Sequence, residues 1–277
     1  MTTTEFLPGR VPVASSLSIF DPVVFGADEY GRRVDVPIMF RNIALAGEPG
    51  AGKSGAVANF VAHGALATDC RLVLIDGKQV ELGLWEEVAD CFVGPDPDHA
   101  NRTILRVQTV MDNRYAWLRY HGRRKIQRDD AFSAIMIVID ELAYFSATAG
   151  DKKSQETFSR LLRDLVARGR AVGIIVVAAT QRPSSDIIPT SLRDLFAWRF
   201  AGRTTTDSSS DIILGHGWAG RGYTATSIDP LNQGTGLLLA EGGVPRLVKA
   251  AYLSDQDIRH LAAFAARIRR PDYSLTA

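Results

Sequence analysis

Apolar residues in this chain recur with two different periods. Continuous apolar runs fill residues 43–46, 72–75, 135–139 and 174–179, with no polar alternation. Strands of that kind are buried on both faces, the mark of a parallel sheet covered by helices. Between them the period changes to that of a helix. Phe158, Leu161, Leu162, Leu165 and Val166 follow the i, i+3, i+4, i+7, i+8 rule. Residues 53–67 and 100–122 also read as helices, the second with Ile104, Val107, Met111 and Leu118 close to one face. Residues 23–25 and 33–37 predict a β-hairpin around Glu29-Tyr30-Gly31-Arg32. Residues 236–240 and 245–250 predict another around Glu241-Gly242-Gly243. A final helix is expected to start at Ser254, with Asp257 as its capping partner, and to run to about Ile268. Residues 1–18 are polar and proline-containing and predict a flexible arm; 19–277 are expected to form a single domain.

With 277 residues and 46% hydrophobic content the chain can bury a sizeable α/β core. Its formal net charge is +1, so any nucleic-acid binding must come from local clusters or a surface shared by several subunits. Cys70 and Cys91 have no metal-ligand spacing and read as core thiols in a reducing compartment. The start, MTTTEFLPGR, lacks the basic and apolar regions of a signal peptide. No apolar run approaches the length of a membrane span. The expected location is cytoplasmic, with any membrane or septal recruitment made through a partner.

The chemistry concentrates at strand ends. Gly47-Glu48-Pro49-Gly50-Ala51-Gly52-Lys53-Ser54 fits G-x-x-x-x-G-K-[ST], after an apolar strand and before a helix. Ordinary residue frequencies give that pattern by chance in about 1% of chains this long. The glycines let successive N–H groups turn toward phosphate oxygens, and the helix N-terminus adds partial positive charge. ATP and Mg²⁺ are the implied cofactors: Lys53 reaches the β- and γ-phosphates, and Ser54 ligates the metal. The run 135–139 ends in Asp140 and Glu141. Asp140 is expected to support Mg²⁺, and Glu141 to polarise the attacking water. The run 174–179 leads into Thr180 and Gln181. They either contact the γ-phosphate or cap a strand end, and Gln181 is taken as the γ-phosphate sensor.

In order, the phosphate loop, Leu74-Ile75-Asp76-Gly77-Lys78 followed by Glu81-Leu82, Asp112-Asn113-Arg114-Tyr115, Val138-Ile139-Asp140-Glu141-Leu142-Ala143, Arg170-Ala171-Val172-Gly173-Ile174 and Ala179-Thr180-Gln181-Arg182-Pro183-Ser184 resemble the motor domain of the FtsK/SpoIIIE translocases. The likeness covers about residues 23–268. It implies a RecA-like P-loop NTPase fold, a largely parallel central sheet with helices on both faces, extended by the two hairpins and the last helix. It implies a DNA-stimulated ATP hydrolase, a hexameric homo-oligomeric ring and double-stranded DNA in its channel. It also implies an arginine that reaches a neighbouring subunit's γ-phosphate. Where the family has Asp-Ser-Arg, this chain has Asp207-Ser208-Ser209-Ser210. Arg203 is therefore the candidate, with Arg170 as the alternative. The compact motor resembles the short transfer proteins of actinobacterial conjugative plasmids and integrating elements. The rival functions are a type VII secretion-like ATPase acting on protein, and a nucleotide-switch module that does not translocate.

Two segments are candidates for DNA contact. Arg119, His121, Arg123, Arg124, Lys125 and Arg128 form the densest basic cluster, which also suits a helix C-terminus. Gly215, Trp218, Arg221 and Tyr223 lie in a glycine-rich stretch that either lines a pore or is a plain loop.

Overall fold

The computed structural model describes residues 17–269. The strands are β1 (Val23–Asp28), β2 (Arg33–Val36), β3 (Ile43–Ala46), β4 (Cys70–Ile75), β5 (Cys91–Val93), β6 (Ala134–Ile139), β7 (Ile174–Thr180), β8 (Trp198–Gly202), β9 (Thr235–Ala240) and β10 (Arg246–Ala250). The helices are α1 (Lys53–Leu66), α2 (Pro97–Tyr120), α3 (Lys152–Arg168), α4 (Thr190–Arg193), α5 (Asp207–Leu214) and α6 (Asp255–Arg269).

All the strands join one ten-stranded sheet in the order β2-β1-β10-β9-β8-β3-β7-β6-β4-β5. From β5 to β8 neighbours are parallel, and from β8 to β2 they are antiparallel. Every residue of β3, β6 and β7 is buried, which is why their sequences lack alternation. The two hairpins expected at the chain's ends are not separate additions. β1 pairs with β10, Gly26 opposite Ala250, so both extend the same sheet. The register between β1 and β2 shifts between Val24 and Gly26. A Cβ on Gly26 would lie 1.9 Å from the Lys249 carbonyl oxygen, so only glycine allows β10 this close.

Sheet order also explains the two helical layers. The connection through α1 runs from β3 toward β4, and that through α3 runs from β6 back toward β7. Right-handed crossovers in opposite directions place their helices on opposite faces. Accordingly α6 packs on α1, while α2 packs on α3. The periodic stripe of α3 is buried as the spacing predicts: Phe158, Leu161, Leu162, Leu165 and Val166 all face inward. Each such side chain contributes about 1.5–3 kcal/mol.

Helix starts follow local chemistry. Asp151 caps α3 by accepting from the Ser154 N–H at 2.7 Å. At α6, Ser254 and Asp257 bond reciprocally, the Asp257 carboxylate accepting from the Ser254 N–H at 2.9 Å. Helix α2 begins earlier than the apolar period implied, because Pro97 takes its first position and Asp96 caps it.

Most of the expected N-terminal arm lies outside the described residues; its last two positions are fastened. Leu17 bridges to Ala67, and the Ser18 hydroxyl donates to Asp69 at 2.6 Å. Cys70 and Cys91 are both free. Burial pushes the Cys70 thiol up to about 12, so it packs as an inert apolar group. No helix among the described residues is long and apolar enough to cross a membrane.

Candidate active site

The phosphate loop links β3 to α1 at the carboxyl edge of the parallel strands, the edge where such sheets bind ligands. Gly50 and Gly52 both take φ 80°, the left-handed region that favours glycine. At Gly52 the space is closed as well: a Cβ would sit 2.1 Å from the Gly234 nitrogen. That nitrogen donates to the Ala51 carbonyl at 2.8 Å, so the turn before β9 supports the loop. On its other flank the Glu48 N–H donates to the Arg203 carbonyl at 3.0 Å. The Glu48 carboxylate accepts from the Thr205 N–H at 2.6 Å and lies 3.5 Å from the Arg203 guanidinium. Thus Glu48 is turned toward the segment after β8, bracing the loop.

Lys53 is buried at the start of α1, and its ammonium donates to Asp140 Oδ1 at 2.9 Å and to the Asp140 carbonyl at 2.8 Å. Asp140 is wholly buried at the end of β6. Its Oδ2 is a buried acceptor with no donor among the described residues. An orphan carboxylate oxygen costs more than about 1–3 kcal/mol unless something satisfies it. A cation, or water bound to one, is suited to that oxygen, and Ser54 stands on the adjoining turn of α1. The residues present therefore fit Mg²⁺. No cluster of three or more His, Cys, Asp or Glu side chains suited to a metal occurs among the described residues.

Glu141 is held by the neighbouring strand. Its Oε1 accepts from the Thr180 hydroxyl at 2.6 Å and from the Ala143 N–H at 3.2 Å; its Oε2 accepts from the Gln181 N–H at 2.8 Å. Ile139 of β6 lies opposite Ala178 of β7, so two residues further along each strand Glu141 and Thr180 meet. Charge-assisted bonds of this kind fix the carboxylate's orientation. Gln181 is tied to Glu141 through its backbone, and its side chain stands half-exposed beside it.

The other singled-out residues divide clearly. Arg203 lies beside its own phosphate loop, in the pair with Glu48. Arg170 lies at the opposite sheet edge, where it donates to the Phe40 carbonyl at 2.8 Å and pairs with Glu241 at 3.2 Å. Arg114 is a buried clamp, donating to the carbonyls of Val172 and Ser133 at 2.7 Å each. Burial lowers its pKa. Asp76 organises the turn after β4, accepting from the N–H groups of Lys78 and Leu82. The basic cluster ends α2 at the edge away from the phosphate loop. Arg123 is paired with Asp130 at 2.6 Å and Arg128 with Asp21 at 2.8 Å. Arg119 and Arg124 are exposed and have no ion pair among the described residues. The glycine-rich stretch is an ordered knot. Asp211 accepts from the N–H groups of Gly217 and Ala219, and Trp218 meets Tyr223 edge-on with Arg221 over its ring.

Sheet order and phosphate loop together define a P-loop NTPase fold. Residues 22–133 match the profile of the FtsK/SpoIIIE family. It is similar to the DNA translocase FtsK of Staphylococcus epidermidis, with 24% identity over 99% of this chain and 35% of that protein. It is also similar to the DNA translocase FtsK of Chlorobaculum tepidum, with 32% identity over 62% of this chain and 23% of that protein. The chain thus spans about a third or less of these curated relatives. Among solved structures, the pCW3 conjugation coupling protein TcpA, in a monomer form with ATPγS, shares the fold. Its TM-score is 0.74 at 21% identity, covering 97% of this chain and 75% of that one. The type VII secretion ATPase EccC of Thermomonospora curvata shares it at 0.69 and 20% identity, covering 88% of this chain and 31% of that one.

Proposed function

We propose that this chain is the motor of an ATP-driven double-stranded DNA translocase, moving plasmid or integrative-element DNA between cells or compartments. The observation that carries the enzymatic part is the meeting of Lys53, Asp140 and Glu141 at adjoining strand ends, with the lysine 2.9 Å from Asp140. In this reading Lys53 neutralises charge on the β- and γ-phosphates. Ser54 and Asp140 would hold Mg²⁺, which would supply positive charge against the charge that develops on the phosphates. The Glu141 carboxylate accepts the proton of the attacking water, and Gln181 contacts the γ-phosphate. Six copies in a ring would repeat a modest charge around one channel, with Arg203 as the candidate that reaches the neighbouring site. A membrane-bound partner would recruit the ring.

The DNA cargo is supported by relatives that align with almost the whole chain and are DNA translocases. A protein cargo is the second reading, favoured by the fold shared with EccC. The test is ATP hydrolysis with and without linear duplex DNA across a salt series. Stimulation that fades with salt is expected, because phosphate contacts release counterions. Lys53→Ala and Glu141→Ala should each lower turnover by about 10²–10³ or more. An ATPase indifferent to DNA but stimulated by a peptide would transfer the assignment to protein cargo.

A further inference from the structure

The sheet order dictates where the nucleoside half of a bound nucleotide must go. The γ-phosphate end of the loop is marked by Lys53, Asp140 and Glu141, which lie toward β7 and β6. On the other side of β3 come β8, β9 and β10. A nucleotide whose γ-phosphate points to Asp140 therefore carries its sugar and base toward the ends of those strands.

That flank is built rigidly against the phosphate loop. Gly234, at the entrance to β9, donates to Ala51 in the loop and accepts from the Ala250 N–H at 2.9 Å. Beyond β10, the Ala251 N–H donates to the Phe25 carbonyl at 2.8 Å. Asn59, buried in α1, donates both to the Ala251 carbonyl at 3.0 Å and to the Gly55 carbonyl at 3.2 Å. One side chain thus ties residue 251 to the first turn of the phosphate-binding helix. The next residue is Tyr252. Its ring is 4.0 Å from where a Cβ on Gly55 would lie, directly beside Ser54. Yet Tyr252 is 80% exposed, and its ring has no aromatic partner among the described residues. A tyrosine fixed by its backbone and packed on almost nothing contributes little to the core. Next to a phosphate loop, an exposed aromatic face is suited to a flat heterocycle.

We propose that Tyr252 is the stacking platform for the base of the bound nucleoside triphosphate, and that it sets a preference for purines over pyrimidines. The proposal rests on the reading of Gly47–Ser54 as an ATP site. Stacking needs the ring and not the hydroxyl, so Tyr252→Phe should behave as wild type. Tyr252→Ala should lose the base contact alone.

The experiment is titration calorimetry of ATP, CTP and inorganic tripolyphosphate, each with Mg²⁺, against wild type, Tyr252→Ala, Tyr252→Phe and Lys53→Ala. Tyr252→Ala is expected to weaken ATP about tenfold, CTP less, and tripolyphosphate not at all. Equal weakening of ATP and tripolyphosphate would mean that the substitution distorts the loop, and would overturn the proposal. So would unchanged ATP affinity. Lys53→Ala should weaken all three ligands. Wild-type protein that binds neither ATP nor tripolyphosphate would instead remove the phosphate-loop reading itself.

Discussion

Thr180 shows how one side chain can set up another's chemistry. It is wholly buried, donates to Glu141 and accepts from the Arg182 N–H at 3.1 Å. The hydroxyl therefore connects the end of β7 to the proposed base on β6. Thr180→Val keeps the shape and removes both bonds. Losing a hydrogen bond to a charged group costs about 1.5–3 kcal/mol. If that cost falls on the orientation of Glu141, kcat drops about tenfold or more while KM for ATP holds. Thr180→Ser, which keeps the donor, should restore most of the rate. A matched rise in KM in the valine variant would assign Thr180 to nucleotide binding instead. The acids and the lysine were legible in the sequence because their spacing relative to apolar runs is local. The Thr180–Glu141 bond was not, because it depends on β6 and β7 being neighbours in register. Once that pairing is known, Ile139 opposite Ala178 makes the contact countable along the chain. The bracing of Glu48 by Arg203 and Thr205 was hidden for the same reason, since β3 and β8 are distant in sequence.

Among the elements, those with uninterrupted apolar runs could be placed from sequence to within a residue or two. Those missed were the ones whose environment is mixed. β8 carries Arg199 as its second residue, half-buried with its Nε unpartnered, and burial lowers that guanidinium's pKa. An arginine inside a strand defeats any reading by hydrophobic pattern. β5 is only Cys91–Val93, too short for a period to register. α5 is short and opens with Asp207-Ser208-Ser209-Ser210, residues that favour caps and turns. Asn42 is another such case. It precedes β3, is fully buried, accepts from the Val176 N–H at 2.8 Å and donates to the Val166 carbonyl at 2.9 Å. It thereby links the end of α3 to the middle of β7. Asn42→Ala leaves both backbone groups buried and unpaired. Each such group costs about 1–3 kcal/mol, so a loss of about 3 kcal/mol in urea unfolding is expected. A change within about 0.5 kcal/mol would show that the site relaxes or admits water.

At the scale of the whole molecule, the two segments considered for DNA contact lie on opposite edges of the sheet. The cluster from Arg119 to Arg128 precedes β6, so it lies at the amino edge of the parallel strands. Residues 203–234 leave β8 at its carboxyl end and enter antiparallel β9 at the same end. The knot around Trp218 and Arg221 therefore shares the edge of the phosphate loop. It is also wired to that loop: the Thr204 N–H donates to the Ala225 carbonyl, next to the Arg203–Glu48 brace. A contact that stimulates hydrolysis must communicate with the phosphates, and on this geometry the knot has the shorter path. The amino-edge cluster can add affinity, but most of its cations are engaged. Arg123 and Arg128 hold acids, and Lys125 lies over the Phe40 ring. Two substitutions separate these roles. Arg221→Ala should reduce the ratio of DNA-stimulated to DNA-free hydrolysis. Replacing Arg119 and Arg124 together by alanine should instead weaken DNA binding and make its salt dependence shallower by about 2 in log–log slope, since each phosphate contact contributes about 0.9. Stimulation lost with the arginine pair and kept in Arg221→Ala would reverse the assignment and place the coupled DNA contact at the edge away from ATP.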